Sequence, residues 1–330
     1  MPESLDAAAR LGITFPAEES FPFRGIRFVD AGGRVQADFR AGSGWGVRRT
    51  VLHRTLMDGA ERAGVRLLWG TPVTGVRPGV VSLAHGELSA RWIVGADGER
   101  SRVRLWSGLD PAASGRTRYG FRQHFRVALW TQHMEIYWGE GLQAYMTPVA
   151  PDQICLAVIS RDSHLRLRHA LAQFPELHDR LRGSQELSAE RGSVSVMRRL
   201  PAVYRGPIAL VGDASGSVDA VTGAGLGLGF RHAAALAEAL ECSDLRRYQR
   251  EHRRMACRPW LMAELLLAMD RWPAAGARAR RLLSARPALF ERLLAFHAGG
   301  TATLDEIDML SAADRSGRYG GSRGESSATV

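Results

Sequence analysis

Lysine is absent: all 44 basic residues of this 330-residue chain are arginine, against 34 aspartates and glutamates. With alanine abundant, this reads as coding bias toward GC-rich codons. The net charge of +10 comes with no recognised reader motif, so nucleic acid is not an expected partner. Cysteine is scarce, and Cys155, Cys242 and Cys257 are too widely spaced for a metal site or a disulfide framework, which suits a reducing cytoplasm. No run approaches 18 uninterrupted apolar residues and no charged-then-apolar leader opens the sequence, so no membrane span is expected. No H-E-x-x-H pair, Walker loop or clustered Cys/His set occurs, and the one G-x-S-x-G, at Gly320 to Gly324, lies in the Gly/Ser-rich tail and not on a strand-to-helix elbow. Hydrolase, zinc-enzyme and nucleotidase chemistries thus lack their minimum parts, and no metal is expected.

What remains is a chain with 45% hydrophobic residues, long enough for a large core and for two domains. Its centre is Ile208 to Leu240. The apolar run Ile208 to Val211 is short enough for a buried strand, breaks at Gly212-Asp213, and re-forms as a helical pattern. The helix is expected from about Thr222, with Leu226, Phe230, Ala233, Ala237 and Leu240 inward and Arg231, His232 and Glu238 toward water. Gly223, Gly225 and Gly227 cost helix stability but let a ligand touch free backbone N–H groups, a setting that favours anions. Asp213 ends the strand where open α/β sheets place ligand contacts; a helix or loop cap is the bland alternative.

Elsewhere the pattern predicts a helix over Met1 to Gly12 capped by Ser4, and two strands joined by a turn over residues 21 to 47. A helix led by Arg49 should end at Gly64. Strands are expected at Val65 to Leu68, Val73 to Val76 and Trp92 to Val94, with a hairpin from Gly79 to Leu88. Residues 119 to 160, including Val127 to Trp130, read as an antiparallel sheet in which Trp130, Trp138 and Tyr145 are core or pocket residues. A helix from His164 to Arg182 is interrupted by Pro175. Asp244 to Arg292 carries twelve arginines against five acidic residues on a helical pattern, with Leu261, Leu265, Leu266 and Met269 as its buried stripe. A solvated face explains that charge best, ahead of peripheral contact with a phosphate or membrane surface. Residues 316 to 330 are Gly/Ser-rich and expected to be disordered.

Two segments carry a resemblance. Gly95 to Arg104 spells GADGxxSxxR, and Gly212 to Leu226 spells GDAxGxxDxxTGxGL, about 115 positions later. Together they resemble the fingerprints of FAD-dependent monooxygenases and oxidoreductases, the group of aromatic hydroxylases and geranylgeranyl-reductase-like flavoproteins. The resemblance implies an α/β (α+β) fold: a three-layer FAD-binding domain incomplete at its N-terminus, an antiparallel substrate sheet and C-terminal helices. It implies a cofactor domain over 1–20, 48–110 and 205–243, a substrate domain over 21–47 and 111–204, and helices over 244–315. It also implies FAD held by Arg49, Asp97, Gly98, Gly212, Asp213, Gly223, Ala224, Gly225 and Leu226. For Arg49 a surface ion pair is the bland alternative. The implied activity is oxidoreduction with NAD(P)H as donor on a small apolar, aromatic or isoprenoid-type substrate.

Two departures matter. Ala220 stands where the family usually has proline, which should leave the loop less stiff. No G-x-G-x-x-G occurs, since Leu228 and Phe230 fill the positions the glycines at 223 to 229 would require. The chain therefore reads as starting inside the fold, and a remnant with weak FAD binding is the alternative expectation.

Overall fold

The computed structural model describes residues 1–110 and 116–299. The expected tail and the last part of the expected C-terminal helices, from residue 300 on, lie outside the described residues.

Helix α1 (Pro2–Arg10) carries proline in its first turn, where a missing N–H costs nothing. Ser4 does not cap it, as Met1 holds that position; the Ser4 side chain lies instead against Gly227. Four strands occupy 20 to 47 rather than two: β1 (Ser20–Phe23), β2 (Gly25–Asp30), β3 (Gly33–Asp38) and β4 (Gly44–Val47). β2 and β3 form the hairpin at Gly32-Gly33, and β1 pairs antiparallel with β4. Helix α2 (Arg49–Arg62) stops before Gly64, whose φ of 74° takes the left-handed turn that closes a helix. Val65 to Leu68 is irregular rather than a strand, and Val65 and Leu68 are exposed. Among the described residues no strand pairs with it to satisfy its backbone.

β5 (Val73–Arg77), β6 (Val80–Leu83) and β7 (Gly86–Ser89) make an antiparallel meander, followed by β8 (Ile93–Gly95) and helix α3 (Arg102–Trp106). β9 (Arg116–Arg126), β10 (His133–Trp138), β11 (Leu142–Ala150) and β12 (Gln153–Ser160) build the expected sheet, but Val127 to Trp130 is a loop whose apolar side chains pack on the core. The expected helix over 164 to 182 is split by Pro175 into α4 (Leu167–Ala170) and α5 (Pro175–Leu181). β13 (Gln185–Glu186), β14 (Arg191–Met197), β15 (Tyr204–Arg205) and β16 (Ile208–Leu210) follow. Four helices complete the described chain: α6 (Gly225–Glu241), α7 (Leu245–Arg271), α8 (Pro273–Ala285) and α9 (Pro287–His297).

The large sheet runs β13-β9-β12-β11-β10-β2-β3, with β14 also on β9. It is antiparallel except where β2 meets β10 in parallel, because the chain leaves β2 for a long excursion through the other layer before returning. The smaller sheet, β15-β16-β8, holds β16 parallel to β8 with Leu210 opposite Gly95. The fold is mixed α/β, as the resemblance implied.

Two helices present a different face from the one their periodicity suggests. In α6 the buried residues are Gly227, Leu228, His232, Leu236 and Ala239, while Leu226 is 42% exposed. α7 likewise buries Met262, Leu266 and Met269 but exposes Leu261 and Leu265. The reason in α6 is a polar contact that a hydrophobic pattern cannot register. His232 stacks on His252 of α7 with ring centroids 4.2 Å apart, and both rings face the Ser215 hydroxyl, at 3.4 and 2.9 Å. Burial pushes both imidazoles down, that of His252 to about 4.

The neutral rings couple stability to pH. An unfolded histidine is protonated below about pH 6.5, whereas folded His252 resists protonation until about pH 4, so stability is full above 6.5 and drains away through that window. For His252 alone the loss is about 3 kcal/mol. Chemical denaturation at pH 7.5 and pH 4.5 should show it, and His252→Gln should flatten the dependence; an unchanged pH profile in the variant contradicts the assignment. Glycine spacing gives a second expectation. A Cβ on Gly46 would run into the backbone carbonyl of Pro148, whereas one on Gly229, inside α6, meets nothing within 4 Å. Gly46→Ala should destabilise by about 1–3 kcal/mol. Gly229→Ala should be neutral or stabilise by up to about 1 kcal/mol. Thermal melts of the two variants would show opposite signs.

Candidate active site

The two motif loops leave the carboxyl ends of neighbouring parallel strands β8 and β16, the usual place for ligand contacts in an open α/β sheet. Arg104, the last residue of the first motif, clamps them together. It is 3% exposed and donates to Ala214 O of the second motif at 3.2 Å and to Glu99 O at 2.6 Å, while its Nε meets Asp110 at 2.8 Å. Asp97 is committed to its own loop. Its carboxylate accepts from Ser101 Oγ at 2.5 Å and from the N–H groups of Arg102 and Val103 at 2.7 and 3.1 Å, capping α3. Gly98 takes a left-handed φ of 76° beside it.

Asp213 behaves differently. It accepts no capping hydrogen bond, and it faces Gly225, where a Cβ would lie 4.0 Å from its Oδ1. It is open to solvent on one side and packed by protein on the other. That partial burial, with Glu99 nearby, raises its pKa against the pull of Arg49. Thr222 lies in a short turn rather than at the helix start expected there: Gly223 is left-handed at φ 63° and α6 begins at Gly225. Among the described residues no side chain caps α6, which leaves its first N–H groups available to a ligand.

The loop between is held from several directions. Asp219 Oδ1 accepts the Val221 N–H at 2.9 Å and faces the buried Arg118 guanidinium at 3.5 Å. Tyr145 of β11 donates to Val221 O at 3.2 Å, and His297 of α9 reaches Thr222 O at 2.9 Å. The Ala220 N–H donates to Ser195 Oγ at 3.1 Å, a bond proline could not make. The expected loss of stiffness at Ala220 is thus offset by a tether to β14.

Between this loop, the large sheet and helices α7 to α9 lies a cavity of about 450 Å³. Phe23, Phe28, Ile136, Met262, Leu266 and Phe290 are among its apolar walls; Gly223 and Leu226 line one side. Of the three aromatics with a choice between core and pocket, Tyr145 lines the cavity as well as packing in the core, whereas Trp130 and Trp138 pack only in the core. Arg49, at the start of α2, stands at its mouth. Partial desolvation lowers its pKa; the like charge of Arg122 lowers it further and Asp213 raises it. His124 and Cys155 line the same end, His124 held down at about 4 by burial and by Arg48 and Arg122, and the Cys155 thiol pushed up by burial.

Arg49, Gly223 and Leu226 thus line the cavity, Asp213 lies beside Gly225 and within electrostatic reach of Arg49 with Gly212 next to it in the chain, and Asp97 and Gly98 stand on the adjacent loop. Arg122, His124 and His297 were not singled out from sequence. The only available signal was the alternation Arg122-x-His124 on the inward face of a strand.

Comparison with known proteins fits this geometry. Residues 18–246 match the family described as FAD binding domain. Over 200 residues the chain is 27% identical to digeranylgeranylglycerophospholipid reductase 1 of Methanothermobacter thermautotrophicus, covering 56% of this chain and 50% of that protein. It is 30% identical over 213 residues to a probable 2-heptyl-3-hydroxy-4(1H)-quinolone synthase of Rhodococcus erythropolis, covering 60% and 55%. The chain thus spans about half the length of the curated relatives it matches. A flavin-dependent brominase superposes with a TM-score of 0.73 at 15% identity, covering 96% of this chain and 88% of that one. PqsL, a probable FAD-dependent monooxygenase from Pseudomonas aeruginosa, superposes at 0.66 with 19% identity, covering 86% and 87%. No described helix is long and apolar enough to cross a membrane. The chain belongs to the family described as FAD binding domain.

Proposed function

We propose that the chain is an FAD-dependent oxidoreductase in which NAD(P)H reduces the flavin and a small apolar, aromatic or isoprenoid-type molecule in the cavity is hydroxylated or reduced. One observation carries this reading: a single tethered loop bears both a carboxylate, Asp213, with no hydrogen-bond partner among the described residues, and a left-handed glycine turn opening on an apolar cavity. These residues fit the ribityl and ring parts of FAD. Asp213 would accept ribityl hydroxyls, and the Gly223 to Leu226 backbone would face the ring. Arg49 and Gly212 would flank the chain, and Asp97 and Gly98 would contribute backbone at the adjoining turn.

When bound, FAD supplies the electron and hydride chemistry. The protein's part is positional and electrostatic. The free N–H groups at the start of α6 favour negative charge placed against them. The apolar walls keep water from the reacting centre. Tyr145 stays protonated, its pKa raised by burial, and its hydroxyl is spent on Val221 O, so it holds the loop.

Weak, non-catalytic flavin binding by residues 1–330 taken alone is the second reading, since these residues include no G-x-G-x-x-G loop. Such a loop gives two or three charge-assisted hydrogen bonds to the pyrophosphate, each worth about 1.5–3 kcal/mol. Without them affinity falls by roughly two to six decades.

Titration with FAD, followed by flavin fluorescence, separates the two. Binding tighter than about 1 µM with NADPH-dependent oxygen uptake supports the first reading, and micromolar or weaker binding without turnover the second. In either case Asp213→Ala should weaken FAD about tenfold or more while changing stability by less than the roughly 1 kcal/mol of a lost cap. A variant that keeps its FAD affinity and loses that stability removes Asp213 from the cofactor site.

A further inference from the structure

The floor of the cavity is one face of the large sheet, and its register gives it a polarity. Crossing from β2 to β9, the residues standing side by side are Phe28, Ile136, Tyr145, Ala157 and Arg122. Four strand spacings make this row roughly 19 Å long. It is apolar until its last position, where a guanidinium stands.

Arg122 is also the exception on its own strand. β9 carries four arginines, and three have acidic partners: Arg116 meets Glu264, Arg118 meets Asp219 and Arg126 meets Asp152. Arg122 has no ion pair or hydrogen bond among the described residues. Its neighbours add to the imbalance. Arg191 of β14 stands directly opposite, Arg49 is close enough to feel its charge, and His124 and Cys155 beside it carry no negative charge. Asp213 offsets Arg49 instead. An uncompensated cation on an apolar wall is costly, and like charges paired across a sheet add to the cost. A bound anion relieves both.

We propose that Arg122 anchors the anionic head of an elongated amphiphilic substrate, a molecule with a carboxylate at one end and an apolar chain or ring system lying along the sheet toward Phe28. This names the substrate class for the flavoenzyme reading above and rests on it. A carboxylate matches the fork of a guanidinium and brings the charge the site lacks.

Dodecanoate and 1-dodecanol share a tail and differ in the head, so they isolate the role of Arg122. Each would be titrated against the neutral dye N-phenyl-1-naphthylamine seated in the cavity, with FAD affinity measured in parallel. The wild-type protein should prefer dodecanoate about tenfold to hundredfold, and Arg122→Gln should erase that preference without weakening 1-dodecanol. Arg122→Lys, which keeps the charge and loses the fork, should retain part of it. Equal affinity for the two probes in the wild type, or an undiminished preference in Arg122→Gln, overturns the proposal. So does an Arg122→Gln variant that loses FAD affinity while still preferring dodecanoate, since Arg122 would then serve the cofactor. A protein that shows the carboxylate preference but binds no FAD keeps the head-group site and discards the flavin reading.

Discussion

The architecture depends on keeping one loop, residues 212 to 224, stationary while its backbone stays available to a ligand. A loop of small residues has little side chain with which to hold itself, so its carbonyls are fastened by partners from elsewhere. Ser215 donates to Gly212 O at 2.7 Å, Arg104 to Ala214 O, Tyr145 to Val221 O, and His297 meets Thr222 O. The outside partners come from three different parts of the fold: helix α3, the large sheet and the last described helix. Each such bond contributes about 1 kcal/mol net, yet leaving any of these buried carbonyls unmet would cost more. The loop therefore links the parallel sheet, the large sheet and the C-terminal helices.

The same constraint explains the buried charges. Arg118, at 2% exposure, faces Asp219 at 1%, and it also holds Gln143 and Ile159 O; Gln143 in turn donates to Asp270 at 2.7 Å. Satisfaction is incomplete, since Arg118 Nε and Asp219 Oδ2 lack partners among the described residues. Such networks are weak sources of stability, but removing one member strands the other's charge. Here the network registers the loop against the large sheet, so the Asp213 carboxylate and the Gly223 turn keep a fixed position relative to the cavity.

Much of this was legible in the sequence. The strand, loop and helix around Asp213 were marked by an apolar run, a glycine break and a return to helical spacing, and GADGxxSxxR identified the strand beside it. What stayed hidden shares one physical cause: it depends on what lies across a contact. Periodicity put His232 in water because histidine is polar, whereas a second histidine and Ser215 make its burial tolerable. The parallel pairing of β2 with β10 follows from a long excursion whose return path no local pattern records. Arg122 resembles every other arginine of an arginine-rich chain until the register shows that its strand-mates are paired and it is not. Asp97 shows the converse: its motif was conspicuous, yet its carboxylate is consumed in capping α3.

In the proposed function the loop after β16 and the first turn of α6 receive the flavin. Hydrogen exchange of the backbone amides, read by mass spectrometry with and without saturating FAD, tests it most directly. Those amides of residues 212 to 228 that have no protein partner, above all at the start of α6, should slow on adding FAD, while the exposed meander β5 to β7 exchanges as before. Flavin-dependent protection elsewhere with none in 212 to 228 would contradict the account.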